Sequence, residues 1–146
     1  WGSTACFDFG ASGDFDALAH AAGTSSTYTC WQPYPDDMNA WMVYGPFDLS
    51  AVSEAQLLFD LWLDIEADYD EFIWGASVDG IHYGGNGRSQ NTDGWIERTL
   101  DLTQVPILGN VTGEGQVWIA FVLQSDYSNP VDHFGAWVDN VVLRIR

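Results

Sequence analysis

Carboxylates concentrate where one of the expected strands begins. Residues 65–80 read IEADYDEFIWGASVDG, so Glu66, Asp68, Asp70 and Glu71 come immediately before or at the start of an apolar, β-prone run. Like charges packed this closely repel one another, and a bound divalent cation would turn that repulsion into attraction. Calcium takes about six to eight oxygen ligands, which loops can bring together. The acidic stretch therefore indicates calcium ligation, with a solvated acidic loop as the alternative.

Acidic residues dominate the whole chain. Its 146 residues include 21 acids against 4 basic residues, all of them arginine, for a formal net charge of −17. This field repels phosphate backbones and anionic lipid, so we expect no nucleic-acid partner and no membrane insertion. No apolar run reaches the roughly 20 residues that span a bilayer. Cations are the natural counter-partners, although surface acid also serves solubility.

Apolar residues alternate with a period of two through most of the chain, and no helical stripe is sustained. In the clearest strand, residues 55–65, every second side chain from Leu57 to Ile65 is apolar and is expected to face a core. The pattern predicts an all-β, antiparallel β-sandwich that forms one domain over residues 1–146. Further strands are expected at 5–9, 40–43, 71–78, 95–102, 116–125 and 134–145.

Two regions of the chain are expected to be irregular. The turn residues Asp79 and Gly80 predict a hairpin between 71–78 and 81–83, followed by a loop rich in Gly and Asn at 84–94. The stretch DFDALAHAA, residues 14–22, is the one place where a helical turn or two is expected.

Two of the eight tryptophans are expected to face outward. Trp62 and Trp118 lie on the outward parity of two long strands. If those strands were close together in one sheet, the indoles would stack on sugar rings while neighbouring polar groups bound the hydroxyls. Those polar neighbours are Asp60, Asp64, Gln116 and Gln124. Outward tryptophans also cover sheets or contact neighbouring domains, so glycan binding and protein contact both stay open.

The two cysteines, Cys6 and Cys30, form no CxxC pair, which makes a metal–thiolate site a poor interpretation. The acidic, lysine-free and tryptophan-rich composition is typical of an extracellular protein. In that setting a disulfide between Cys6 and Cys30 is the favoured prediction, and two buried free thiols are the alternative. The chain is interpreted as a mature secreted protein or a piece of a larger one.

Four segments carry a resemblance to a known family: IEADYDEFIWGASVDG, GWIERTLDLT, VWIAFVLQSD and FGAWVDNVVL. In this order they resemble the jelly-roll accessory domain of secreted bacterial metallopeptidases of the immune inhibitor A type. They are more distantly similar to MAM-like domains and to galactose-binding-like carbohydrate-binding modules. The resemblance covers roughly residues 40–145, and the matching positions are Glu66, Asp70, Ser77, Asp79, Gly80, Trp95, Asp101, Leu102, Phe121, Ser125, Asp126, Gly135, Val138, Asp139 and Val141. Thr103, Ala120 and Asn140 depart from the family pattern, which has Ser, Arg and Asp at these places.

The resemblance implies a calcium-stabilised jelly roll that accompanies an extracellular enzyme. Because the first and last strands of a jelly roll are neighbours, Asp8 and Asp139 are expected to meet, with Asp14 or Asp16 completing a calcium site. The alternative for Asp139 is a carboxylate that accepts hydrogen bonds from backbone amides or from Arg144. A second candidate calcium group consists of Glu66, Asp68, Asp70 and Asp126, with a solvated loop as its alternative.

Catalysis is not expected. His20, His82 and His133 are not arranged as HExxH, and no GxSxG segment is present. The sequence therefore predicts a secreted, non-catalytic binding module whose leading role is glycan recognition. The runner-up is a structural or protein-contact domain of a surface assembly, filament or adhesin.

Overall fold

Residues 1–4, 16–19, 31–128 and 132–146 are described by a computed structural model, which gives no side-chain description of Thr4 and Asp16. Within these ranges the chain forms strands and no helix. The strands are β1 (Gly2–Thr4), β2 (Asp16–Leu18), β3 (Asn39–Phe47), β4 (Ala55–Asp64), β5 (Glu71–Ser77), β6 (Gly84–Arg88), β7 (Ile96–Asp101), β8 (Val117–Gln124) and β9 (Gly135–Ile145). None of the described residues belongs to an apolar helix long enough to cross a membrane.

The strands form two sheets packed face to face. The first sheet has the order β1-β2-β9-β4-β7, and the second has the order β3-β8-β5-β6. Every strand pair in both sheets is antiparallel. From β2 onward, the orders β2-β9-β4-β7 and β3-β8-β5-β6 are those of a jelly roll, with β1 added at one edge. The all-β jelly-roll fold expected from the sequence is confirmed.

The alternation of β4 produces one half of the core. Its side chains from Leu57 to Leu63 are alternately buried and half-exposed, and the parity continues to Ile65, which is fully buried. Facing β4 across the sandwich, Phe121 of β8 packs edge-on against Phe59 with ring centroids 4.8 Å apart. This core holds the two sheets at a fixed separation, so residues on their outer faces have fixed positions too.

The expectation of a loop at 84–94 is wrong in part, because Gly84–Arg88 form the strand β6. Glycine has low β-propensity, which is why this stretch reads as a loop in sequence. The glycines are needed because the two backbones approach very closely. A Cβ on Gly85 would lie 2.1 Å from the carbonyl oxygen of Trp74, and one on Gly75 would lie 2.5 Å from that of Gly84. The predicted hairpin exists, but β6 rather than 81–83 is its second strand.

The N-terminal expectations are corrected in part. Residues 16–18, expected within a helical turn, form β2 because they pair with both β1 and β9. The expected strand at 5–9 lies outside the described residues. The strand expected at 40–43 extends over Asn39–Phe47, since its pairing with β8 runs from Asn39 to Phe47 with one irregularity after Tyr44.

Candidate functional site

A surface that combines aromatic and hydrogen-bonding side chains lies on the outer face of the second sheet. We call it the Trp41 face and define it as Asn39, Trp41, Glu71, Tyr83 and Gln124. The register pairs Gln124 of β8 with Asn39 on one side and with Glu71 on the other, so these three form a polar row across the sheet. Trp41 belongs to the next row on the same face, where it pairs with Val122.

Trp41 is exposed and also held in place. Its side chain keeps 45% of its accessible surface, and its Nε1–H donates to Asn39 Oδ1 at 2.7 Å. The ring of Tyr83 meets the indole at a centroid distance of 5.3 Å and an interplanar angle of 64°. An exposed indole with a fixed edge loses little conformational entropy when a ligand stacks on it.

The polar row supplies donors and acceptors beside the indole. Gln124 Nε2 donates to Asn39 Oδ1 at 3.4 Å, which links the two amides. The carboxylate of Glu71 lies over Gly87 of β6, where a Cβ would stand only 1.9 Å from Glu71 Oε1. Amide and carboxylate groups beside an aromatic ring can bind the hydroxyls of a sugar while the ring contacts its C–H face.

The loop between β5 and β6 contacts this sheet face through Tyr83. Ser77 and Asp79 shape the loop, since Asp79 Oδ1 accepts hydrogen bonds from the amides of Ile81 and His82, both at 2.8 Å. His82 Nδ1 lies 2.7 Å from Asp79 Oδ2. The His82 hydrogen bonds lower the pKa of Asp79 well below its usual value. These hydrogen bonds hold the loop in the conformation that positions Tyr83. The pKa of the Tyr83 phenol is raised, mainly by burial.

Three loops meet beside the polar row, and we call their side chains the acidic loop cluster: Tyr34, Glu66, Asp70, Asp126 and Ser128. Asp70 is buried, with 1% of its surface exposed. Its Oδ1 accepts from the amide of Asp126 at 2.9 Å, and its Oδ2 accepts from the hydroxyl of Tyr34. Tyr34 also accepts from the amide of Glu66 at 2.9 Å, and burial is the main cause of the raised pKa of its phenol.

The structure thus brings together three of the four residues of the second predicted calcium group, Glu66, Asp70 and Asp126, but gives them different roles. Asp70 has both oxygens bound by protein donors, whereas Glu66 and Asp126 converge on Ser128. The single hydroxyl proton of Ser128 faces two carboxylate oxygens, Glu66 Oε2 at 3.0 Å and Asp126 Oδ1 at 2.5 Å. This corner is therefore rich in acceptors. Among the described residues, however, no three acids, histidines or cysteines converge closely enough to hold a metal. Asp68 instead accepts from Gln90 Nε2 at 2.5 Å.

The first predicted calcium group is only partly within the described residues. Asp8 and Asp14 lie outside them, and the side chain of Asp16 is not described. The last strand, β9, pairs with β2, whereas the strand at 5–9 that was expected to bring Asp8 next to Asp139 lies outside the described residues. Asp139 lies opposite Asp60 of β4 and accepts from the amide of Asn140 at 2.7 Å. Asn140 Nδ2 donates to Asp60 Oδ2 at 2.8 Å.

The predicted platform of Trp62 and Trp118 is wrong, because the two residues lie in different sheets. Trp62 belongs to β4 in the first sheet and Trp118 to β8 in the second. Their polar neighbours are separated in the same way: Asp60 and Asp64 stay with Trp62, while Gln116 and Gln124 stay with Trp118. Parity along a strand gives the face of a residue but not the sheet to which its strand belongs.

Trp62 is part of a second aromatic cluster, on the outer face of the first sheet. We call it the tryptophan row: Leu18, Trp137, Trp62 and Trp95. Leu18 pairs with Trp137 and Trp137 with Trp62, and the rings of Trp62 and Trp95 meet nearly perpendicularly at 5.9 Å. Trp137 is 1% exposed and Trp31 packs over it at 6.5 Å. Beside this row, Asp64 Oδ1 lies 2.9 Å from His133 Nδ1. The row acts mainly as packing in the described part of the chain.

Sequence reasoning missed Trp41, Tyr83 and Asn39 as site residues, and it missed Tyr34 as the partner of Asp70. Gln124 was correctly expected to face outward, although with Trp118 rather than with Trp41. The alternation of side chains around Trp41 could have indicated that this residue faces outward. The exposure of its indole, however, depends on the position of β3 at the edge of the second sheet, which the sequence does not show. The predicted disulfide between Cys6 and Cys30 lies outside the described residues.

The order of the described strands defines the chain as a jelly-roll β-sandwich, and two solved structures were found to be similar. It is similar to the K3 cleaved adhesin domain of Lys-gingipain (Kgp) from Porphyromonas gingivalis w83, with a TM-score of 0.53 and 12% sequence identity over 89% of this chain and 72% of that domain. It is also similar to the C-terminal domain of EclA, described as a sugar-binding protein, with a TM-score of 0.46 and 11% identity over 94% of this chain and 96% of that one. No family model and no curated protein matches the sequence.

Proposed function

We propose that this protein is a non-catalytic extracellular binding module that recognises glycans through the Trp41 face. The observation that carries the proposal is the exposed Trp41 indole, fixed by Asn39 and Tyr83 and set beside a row of amide and carboxylate groups. A flat aromatic surface next to convergent polar groups is the chemistry that sugar binding requires. An adhesin domain with the same fold is in keeping with this role.

The charge of the protein narrows the class of glycan. Glu71 lies within the polar row, and the chain as a whole carries a net charge of −17. Sulfated, sialylated or uronic-acid glycans would be repelled by this field, whereas neutral hexoses and sugars with free amino groups would not. The ligand is therefore a neutral or amino-bearing polysaccharide.

The decisive experiment is a pair of tryptophan variants on a panel of immobilised polysaccharides. We expect Trp41→Ala to abolish retention, because it removes the stacking surface, while the melting temperature stays close to that of the wild type. The matched control is Trp31→Ala, which removes a comparably exposed indole, 53% against 45%, from the other side of the sandwich. It should leave retention unchanged.

Retention lost in Trp31→Ala and kept in Trp41→Ala would move the site to the first sheet and refute the present assignment. If the wild-type protein binds none of the neutral or amino-bearing polysaccharides, glycan recognition itself is wrong. The accessory role beside a secreted metallopeptidase, implied by the sequence motifs, would be tested by the genetic context of the full-length gene.

Calcium is proposed as a stabilising ligand of the acidic loop cluster. Glu66 and Asp126 would supply carboxylates at the acceptor-rich corner around Ser128, and backbone carbonyls and water would complete the shell. A cation there would fix the loops next to the polar row and so support the Trp41 face.

Melting curves recorded in calcium and in EDTA test this second proposal. A ligand that binds only the folded state stabilises it, so chelation should lower the midpoint by several degrees. Glu66→Gln should remove most of that difference, whereas the exposed control Glu114→Gln should keep it. Identical midpoints in calcium and EDTA would rule out the calcium site.

A further inference from the structure

Glu71, on the Trp41 face, carries a charge that no arginine or lysine of this chain neutralises. The chain has no lysine, and its four arginines all lie within the described residues. The one salt bridge that an arginine makes there joins Arg146 to Glu54. Arg88 of β6, the strand next to β5, directs its guanidinium to backbone carbonyls of the loop that follows it. The exposed carboxylate of Glu71 is therefore available to a cation from outside the chain.

A glycine on the neighbouring strand decides where this carboxylate lies. Glu71 begins β5, and its side chain extends over Gly87 of β6. A Cβ at position 87 would overlap Glu71 Oε1 and would lie 2.8 Å from Glu71 Cδ. Any residue other than glycine would therefore push the carboxylate out of its present position. The missing side chain of Gly87 thus places a negative charge on the sheet surface, at the end of the polar row.

The polar row changes from hydrogen-bond donors to acceptors as it crosses the sheet. Asn39 Oδ1 already accepts from Trp41 Nε1 and from Gln124 Nε2, so the Nδ2 donors of Asn39 face a ligand at the β3 end. At the β5 end, Gln124 Oε1 and both carboxylate oxygens of Glu71 accept no hydrogen bond from the described residues. An ammonium group has three donors and no acceptor, so it matches the β5 end of the row.

The aromatic ring and the carboxylate are too far apart to contact the same sugar unit. Gln124 pairs with Asn39 on one side and with Glu71 on the other, and Trp41 follows Asn39 by two residues along β3. With strands about 4.8 Å apart and a rise of about 3.3 Å per residue, the Cα atoms of Trp41 and Glu71 are about 12 Å apart. Two consecutive units of a polysaccharide span this distance, whereas a single ring does not.

We propose that the Trp41 face selects polysaccharides with free amino groups, and that Glu71 binds the ammonium of a sugar unit next to the unit that stacks on Trp41. The inference rests on the proposed glycan recognition and adds which substituent is recognised and where. The ammonium donates charge-assisted hydrogen bonds to the carboxylate. N-acetylation removes the positive charge and leaves a single N–H donor, so the acetylated polymer loses this contact.

Two oligosaccharides that differ only at the amine test the proposal. The first is a short chain of β-linked glucosamine, and the second is the same chain fully N-acetylated. In titration calorimetry at physiological salt, the wild type should bind the free amine about fivefold more tightly, which is the effect of one exposed ion pair. Glu71→Gln keeps the size of the side chain but removes its charge. It should abolish the preference and leave the affinity for the acetylated chain unchanged.

Two further variants separate the position of the charge from its amount. Glu97→Gln removes an exposed carboxylate from β7 in the first sheet, so it lowers the negative charge of the protein equally and should keep the preference. Gly87→Ala leaves the charge of Glu71 in place but displaces its carboxylate, and it should lose the preference as Glu71→Gln does. Equal losses in Glu71→Gln and Glu97→Gln would mean that the general negative field attracts the amine, and the proposal would be overturned.

The same titrations distinguish this inference from glycan recognition itself. Trp41→Ala should abolish binding of both oligosaccharides, because both need the stacking surface. A wild type that binds the two chains equally, or prefers the acetylated one, overturns the selectivity for amines and leaves glycan recognition intact. A wild type that binds neither chain also overturns the selectivity, and the panel of immobilised polysaccharides then decides whether the protein recognises another glycan.

Discussion

The two outer faces of the sandwich use tryptophan in opposite ways. In the first sheet, Trp137 is 1% exposed and packs between Leu18 and Trp62, with Trp31 over it. In the second sheet, Trp41 keeps 45% of its surface and contacts only its neighbours Asn39 and Tyr83 among the aromatic and hydrogen-bond contacts described. The same residue type thus stabilises one face and is left available for a ligand on the other.

The difference arises from what covers each sheet. The tryptophan row lies in the middle of the first sheet and is covered by Trp31 and Phe134, whose ring centroids are 5.6 Å apart. Trp41 lies on β3, an edge strand of the described second sheet, and among the described aromatic residues Tyr83 from the β5–β6 loop contacts it. A central aromatic residue is covered on all sides, whereas one on an edge strand keeps a free ring face.

The largest expected effect is on the free energy of unfolding, which tests the difference between the two faces. Trp137→Ala should destabilise the protein by about 3–5 kcal/mol, because it leaves a cavity beneath Trp31. Trp41→Ala should cost about 1 kcal/mol or less, because its ring is half in solvent. Urea unfolding followed by circular dichroism measures both. Equal losses would mean that the two faces do not differ as the exposures indicate.

A smaller effect is expected at the acidic loop cluster, which supports the Trp41 face through buried polar contacts rather than aromatic packing. Asp70→Ala leaves the Asp126 amide and the Tyr34 hydroxyl without their acceptor, at a cost of about 2–3 kcal/mol. Glycan retention should fall as well, because these loops border Asn39, Glu71 and Gln124. The exposed acid Asp36 provides the control: Asp36→Ala should change stability by no more than about 0.5 kcal/mol. A stable Asp70→Ala protein would show that the cluster does not hold this end of the sandwich.

The smallest effect concerns the loop that positions Tyr83. The hydrogen bonds from His82 lower the pKa of Asp79 in the folded protein, compared with about 3.9 in an unfolded chain. The stabilisation by the carboxylate is therefore complete above about pH 4 and is lost as the pH falls through the lowered value. The melting temperatures of the wild type and Asp79→Asn should differ slightly near neutral pH and converge in acid. A difference that grows on acidification would contradict this role of Asp79.

Much of the fold follows from local pattern. The alternation from Leu57 to Ile65 predicted both the strand β4 and its buried face, since side chains of a strand alternate strictly between two faces. The glycine strand β6 was not predictable, because its stability depends on how closely the backbone of β5 approaches. For the same reason, the hairpin that begins with β5 was correctly expected, but its second strand is β6 and not residues 81–83.

The candidate site was less predictable than the fold. Glu66, Asp70 and Asp126 lie at one end of the sandwich, where acids at strand ends meet, and their role as calcium ligands stays a prediction. Their different roles depended on Tyr34, which is distant in sequence and gave no signal of its own.

By itself the sequence determined that this chain is an acidic, all-β sandwich, because charge and periodicity are properties of residue type and spacing alone. Only the tertiary structure decided which tryptophans share a sheet and which one keeps an exposed indole. These depend on the order of strands within a sheet, and that order is set by long-range pairing and core packing rather than by any local pattern.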